Sequence, residues 1–477
     1  MRLRPVATAV ALFLAGSLFA PSLLFGLQQG AAGAADPELA TTVDDGFTIA
    51  VVGDVILAYS LAHEMSDPGF GEVVGILRSA DVATGNLEGN IVDGRVLQTS
   101  APGGFGGEPS AADWLVEMGF DIMARPNNHS TDFWIEGVNE TSRQLDRVGM
   151  QYTGVGNSYA AARAARYYTS ARGRVGMVAT FARDGANQID AAPGGGEWLG
   201  RGGISALRVG RSFMVPEDRW GAIQTLRDDF PSGTGFYARG ANSDTQISLI
   251  GNAFRKAPPG TTEPHFSFQM NQGDFDDLVA AVREGKLRSD FVSFAIHSHH
   301  FHDTRGGYRG DGVAEAEHLD TNSSIPDFHI ELAHAVIDAG ADLYQGTGVH
   351  ALRGIEIYRN RPIFYGLGEF IRQMDVIGIA GRGDPTRDQC VGCPFPVKYE
   401  SVIAVSTFEG GELAEVRLHP VELGYEEPRL AKRGIPRPAS PETARRILER
   451  LQDLSSPFGT QIAIEGNVGV IRSRSAP

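Results

Sequence analysis

Residues 344–370 read YQGTGVHALRGIEIYRNRPIFYGLGEF, and this stretch decides the fold class. A short strand leads into a Gly-rich loop that ends at His350, and a second strand pair follows, closed by an Asn360-Arg361-Pro362 turn. A ligand-type side chain held up to solvent between two strands points to an α/β chain that presents chemistry at one edge of a sheet.

Four other segments repeat the arrangement. Phe47 to Val52 is an apolar strand pattern followed by Gly53-Asp54, and Val82 to Thr84 leads into Gly85-Asn86-Leu87-Glu88. Phe120 to Ala124 leads through Arg125-Pro126 into Asn127-Asn128-His129, with Asp132 close behind. Asp290 to Ile296 ends in His297-Ser298-His299-His300. In an open α/β sheet, groups at the carboxyl ends of strands converge on one crevice. Carboxylates, an amide and imidazoles together suit Mn, Fe, Zn or Mg and not a thiolate site.

The ordered set of GD, GNLE, NNH with its following Asp, a His-bearing strand end, and IDAGADLYQGTGVHALRGIEIYRNRPIFYGLGEF (residues 337–370) resembles the CapA family of capsule and poly-γ-glutamate synthesis proteins. The resemblance runs from about Phe47 to Phe370 and implies the calcineurin-like metallophosphoesterase fold, a β-sandwich of mixed sheets flanked by helices. Carried over by position, it makes Asp54, Glu88, Asn128, His297 and His350 metal ligands. His129 becomes the general acid, oriented by Asp132. Such a set serves metal-dependent hydrolysis, in which one or two divalent ions activate water and an unligated His protonates the leaving oxygen. Two positions depart from the pattern. Asp54-Val55-Ile56 lacks the His of the superfamily's D-x-H, as CapA-like relatives commonly do, and Gly346-Thr347-Gly348-Val349-His350 has Thr where relatives have the first His of G-H-x-x-H. Either His299 substitutes for that lost ligand from the adjacent strand end, since side chains two apart on a strand share a face, or the second metal is weak or absent and His299 contacts substrate. Thr347 also keeps a second reading open, a non-catalytic factor that binds polymer or a membrane synthase through a decayed site.

Composition bounds the partners. Asp plus Glu outnumber Lys plus Arg by 58 to 42 in 477 residues, a formal net charge of −16. That balance disfavours nucleic acid, and an anionic envelope polymer needs a local Arg cluster. Arg201, Arg208, Arg211 and Trp198 supply candidates in the Gly-rich segment 183–264, expected as an insertion over the site. The N-terminal 1–35 reads as a signal peptide or membrane anchor: Arg2 and Arg4 precede an apolar run over 6–27 and the small-residue site Ala32-Gly33-Ala34. This predicts an exported protein, periplasmic, extracellular or on the outer face of the cell membrane. Both cysteines lie in Cys390-Val391-Gly392-Cys393, which in an exported chain predicts a small loop disulfide, with a redox pair or half a zinc site as the other options.

The main domain is expected over 45–425, with a C-terminal extension over 426–477. Helices are predicted from Ser110 to Met118, opened by a Ser110-x-x-Asp113 capping box, and along the Ile135, Val138, Ser142, Leu145, Val148 stripe. Others cover 216–230, 274–284 and 328–339, and Pro441 to Leu454 with Ala444, Ile447, Leu448 and Leu451 as its apolar face. His63, His265, His318, His329, His334 and His419 read as surface or packing residues, while His300 and His302 stand close enough to the ligand strand to touch substrate.

Overall fold

Phe47–Ile56 is the strand whose side-chain alternation explains the architecture. In a strand successive residues face opposite sides, so Phe47, Ile49 and Val51 enter one apolar core while Ala50 and Val52 enter another. A computed structural model describes residues 41–96, 104–183, 189–230, 243–302, 324–373 and 396–473.

One mixed sheet is built on this strand. Val82–Leu87, Ile122–Ala124 and Gln151–Thr153 follow in parallel on one side; on the other Glu400–Glu409 is antiparallel to it, and Glu412–Glu422 is antiparallel in turn to Glu400–Glu409. A second mixed sheet has Gly173–Arg183, Phe291–His297, Leu343–Thr347 and Arg361–Phe364 in parallel at its centre. The two pack face to face. Phe47, Ile49 and Val51 share a core with Val175, Met177, Phe291 and Ala295, and the Phe47 and Phe291 rings lie 5.3 Å apart.

Helices cover both outer faces. Pro68–Ser79 and Ser110–Met118 place Val73, Leu77, Leu115 and Met118 against Ala50 and Val52. Gln272–Lys286 and Asp327–Asp338 place Leu278, Val282, Leu332 and Val336 against Val292, Phe294 and Ile296. The fold is thus the expected α/β class, a sandwich of mixed sheets flanked by helices. Helix crossovers between parallel strands account for the order of elements.

Several local expectations are corrected. Ser110 does not cap its helix; Pro109 holds that position, Ser110 Oγ donates to Glu108, and Asp113 pairs with Arg147 instead. In the helix Trp134–Val148, Val138 and Leu145 are buried while Ile135 is exposed. The hairpin turn is Arg359-Asn360, both at positive φ, and Arg361 and Pro362 already belong to the next strand. Two left-handed residues match the type I′ geometry that suits a two-residue hairpin.

The 183–264 segment is partly sheet. Ala206–Val215 pairs with Gly173–Arg183, and Asn252–Lys256 and Gln246–Leu249 continue outward. The C-terminal helix Pro441–Ser455, capped by Ser440, buries Ala444, Ile447, Leu448 and Leu451 in the inter-sheet core. Beyond it, Val468–Arg472 pairs with Glu412–Glu422. The expected leader and the Cys390–Cys393 pair lie outside the described residues, among which no helix is long and apolar enough to cross a membrane.

Candidate metal centre

The strand ends meet where the interior of the sandwich opens at the carboxyl edge of both sheets. His297 continues the inward parity of Phe291 and Ala295, and its register partner Thr347 lies beside it with Oγ1 3.1 Å from Nδ1. Asp54 should face the helices by simple alternation from Val51. A β-bulge changes this: Val51 pairs with Thr84 and Asp54 with Asn86, so three steps on one strand match two on the other. The extra residue re-aims Asp54 to the interior face. Gly53 is part of the device, since a Cβ there would lie 1.9 Å from the Gly368 carbonyl oxygen. Asn86 then donates to Asp54 Oδ1 at 2.8 Å and lies 3.0 Å from His297 Nδ1, linking the two sheets.

The last loop is equally constrained. Gly348 sits at φ 108°, where a Cβ would come within 2.7 Å of the Ser298 backbone, and its N–H donates to Asp54 Oδ2 at 3.0 Å. His350 adopts φ 57°, a left-handed conformation that a non-glycine residue holds at a cost of order 1–3 kcal/mol. Contrary to expectation it is buried, at 3 % exposure. Its Nδ1 lies 2.8 Å from Glu369 Oε1, 3.5 Å from Asp54 Oδ2 and 3.9 Å from Glu88 Oε2. Glu369 is itself paired with the buried Arg372.

Glu88 stands at the centre. Its Oε1 faces His297 Nε2 at 4.0 Å and His129 Nε2 at 3.9 Å, while Oε2 faces His350. The residue is 2 % exposed, and neither carboxylate oxygen has a hydrogen-bond partner among the described residues. Burial pushes its carboxyl well above the usual range; His350 opposes this, and Asp54 and Glu369 add to it. Burial would also raise Asp54, but His297 and His350 beside it hold that carboxyl well below the usual range. Burial lowers His297, with Asp54 pulling partly the other way. Burial, then His297 and His350, lower His299 well below the ordinary value. Neutral imidazoles, an amide oxygen and a carboxylate with no hydrogen bonds fit a divalent cation. Glu88, His297 and His299 form one group able to hold such an ion, and Asp54, Glu88 and His350 another.

Asp54, Glu88, Asn128, His297 and His350 are therefore brought together, with Asn128 Oδ1 2.8 Å from His297 Nε2. His129 lies at the rim. Its Nδ1 is 2.7 Å from Asp132 Oδ2, and its ring stacks on Phe105 at 3.7 Å. Asp132 is held in turn by the Phe105 N–H.

The arginines are not brought in. Arg208 is committed to Asp274, and Arg201 donates to the Asp190 carbonyl; neither has a described contact with the cluster. Arg211 lies over Phe213 and Phe266, and Trp198 is 85 % exposed. His300 is packed among Ser298, Phe268 and Phe328, and His302 stacks on His265. Sequence reasoning gave no role to Asn86, Asn127 or Glu369. Asn86 lies two residues before Glu88, and Asn127 ties the loop down by donating to the Leu87 carbonyl. Glu369 closes the opening stretch, as the strand partner of Asp54.

Fold and site together define an α/β sandwich with a buried carboxylate–imidazole centre of the kind that holds divalent metal. The chain belongs to the family described as bacterial capsule synthesis protein PGA_cap, whose model matches residues 48–305 and 317–374. An uncharacterized protein, y4sH, of Sinorhizobium fredii is 40% identical, over 91% of this chain and 94% of that protein. The PGA biosynthesis protein CapA of Bacillus subtilis is 23% identical, over 70% of this chain and 66% of its own length. A probable polyglutamine synthesis accessory protein of Mycobacterium tuberculosis is 25% identical, over 65% of this chain and 60% of its own.

Proposed function

We propose that this protein is an exported, metal-dependent hydrolase that serves synthesis or remodelling of an anionic cell-envelope polymer, acting on a phosphoester or on an amide bond of the polymer. Family membership supports the setting. The observation that carries the chemistry is Glu88, a buried carboxylate without hydrogen bonds, flanked by Asp54, His297 and His350. Asp54, Glu88, Asn128, His297 and His350 would hold the ion or ions, which would supply Lewis acidity and an activated water.

The remaining steps belong to the chain. Asn86 and Thr347 address the Nδ1 side of His297, which leaves its Nε2 turned toward Asn128 and the cluster. Orientation of a ligating imidazole through its other nitrogen keeps ring and tautomer fixed. Asp132 does the same for His129: in the imidazolium, Nδ1–H is held by the carboxylate while Nε2, which faces the cluster, gives its proton to a departing oxygen and leaves the neutral Nδ1–H ring.

His129→Ala should keep its metal and lose roughly 10²–10⁴-fold in rate on a substrate with a basic leaving group. The loss should shrink for a leaving group that needs no proton. Bis-p-nitrophenyl phosphate and an alkyl phosphodiester, assayed on metal-loaded protein, make the comparison. Equal losses on both would remove His129 as the acid. Thr347 favours the second reading, a binding factor for polymer or synthase. Metal-loaded wild type inactive on phosphomonoesters, phosphodiesters and γ-glutamyl polymer, with polymer production in cells unaffected by His129→Ala, would establish it.

A further inference from the structure

We infer that His299 is a metal ligand, completing with Glu88, Asn128 and His297 a nitrogen-rich position for a divalent transition metal that is separate from the Asp54–Glu88–His350 position. This deepens the proposed function and rests on its reading of the cluster as a metal centre.

Three observations converge. First, His299 Nε2 lies 3.2 Å from His297 Nε2, and the same His297 nitrogen lies 2.8 Å from Asn128 Oδ1. Donors bound to one ion at roughly 2.0–2.2 Å sit about 3 Å from one another, so these separations are those of neighbouring positions in one coordination shell. Second, Glu88 offers one oxygen to each side. Oε1 faces His297 and Oε2 faces His350, both are buried, and neither has a hydrogen-bond partner among the described residues. Glu88 is common to the His297–His299 group and to the Asp54–His350 group, as a bridging carboxylate must be.

Third, Thr347 is on the wrong side of His297 to serve this position. Its hydroxyl meets Nδ1, whereas Glu88, Asn128 and His299 all address Nε2. The two halves then differ in chemistry. Two imidazoles with an amide oxygen suit Mn, Fe or Zn, while the Asp54 half is richer in oxygen and harder. His299 is also partly open to solvent, unlike His297 and His350, so a small molecule can reach its place.

The test uses the purified protein, stripped with a chelator and reloaded with Mn(II). Wild type should bind two ions per chain, with an exchange-coupled electron paramagnetic resonance signal from a carboxylate-bridged pair. His299→Gly should retain one tightly bound ion, lose the coupled signal, and bind the second at least about 10-fold more weakly. Added imidazole should restore the second ion and the coupling, which a merely structural role for His299 would not allow. His299→Gln, close to His in size, should behave like His299→Gly without imidazole and guards against a folding defect, while His302→Ala should match wild type. Unchanged metal affinity in both His299 variants overturns this inference alone. A wild type that takes up no Mn(II), Zn(II) or Fe(II) overturns the metal reading and this inference with it.

Discussion

At the residue scale the centre is organised by what Glu88 lacks. A buried carboxylate normally finds donors, because leaving it without them forfeits its hydration. Glu88 has none among the described residues and lies near Asp54 and Glu369. In metal-free protein that arrangement costs stability, and a cation relieves it. Glu88→Gln removes the charge at nearly constant volume. Chelated Glu88→Gln should therefore melt no lower than chelated wild type, and should lose most of the stabilisation that Mn(II) gives wild type. Differential scanning calorimetry with and without metal checks both. A large loss of stability in the metal-free variant would mean that the Glu88 charge is satisfied within the protein. The cluster residues Asp54, Asn128, His297 and His350 were legible in sequence because each follows a strand. Glu369 was not, because nothing local distinguishes the glutamate of a Gly-Glu-Phe strand start from a surface one. The partners of Arg201 and Arg208 were hidden for a related reason: the contacts with Asp190 and Asp274 are set by the tertiary fold.

At the scale of elements, the bulge in Phe47–Ile56 decides where Asp54 points. It depends on the close approach of the Gly368 carbonyl to Gly53 and on the parallel pairing of Asp54 with Glu369. Gly53→Ala places a methyl group 1.9 Å from that oxygen. One strand must move, which should destabilise by about 1–3 kcal/mol or more. Because the same shift displaces Asp54 and Glu369, metal affinity should fall in parallel. Urea unfolding and metal titration of the one variant measure both. Destabilisation with unchanged affinity would show that the bulge does not aim the ligand. The adjacent glycines in the sequence signal a turn or a close approach, but not which backbone approaches.

At the scale of the whole molecule, the C-terminal 426–477 was expected as an extension of the domain. Its apolar stripe Ala444, Ile447, Leu448 and Leu451 lies in the same core as Phe47 and Phe291, and Val468–Arg472 adds a strand at one side of a sheet. Removing 426–477 strips one face of that core, exposes an unpaired strand edge, and takes away the Arg446 and Arg450 partners of the buried Glu400. The truncated chain should fail to give a cooperative thermal transition and should aggregate. A truncated protein with a sharp transition and wild-type metal content would make the segment a separate appendage.

Read alone, the chain already carried the family resemblance, the α/β class, the strand-and-helix order and most residues of the carboxylate–imidazole cluster. Those follow from local signals: apolar alternation, helix stops at glycine, and chemistry-bearing residues at strand ends. The tertiary structure alone decided that two sheets face each other, that a bulge turns Asp54 inward, that His350 is buried against Glu369, and that Glu88 offers one oxygen to each half of the centre. It also placed Thr347 behind His297 and His299 in front of it. The physical reason is range. Strand parity is set by neighbours along the chain, but register, bulges and the meeting of sheets depend on contacts between residues hundreds of positions apart, as between Asp54 and Gly348.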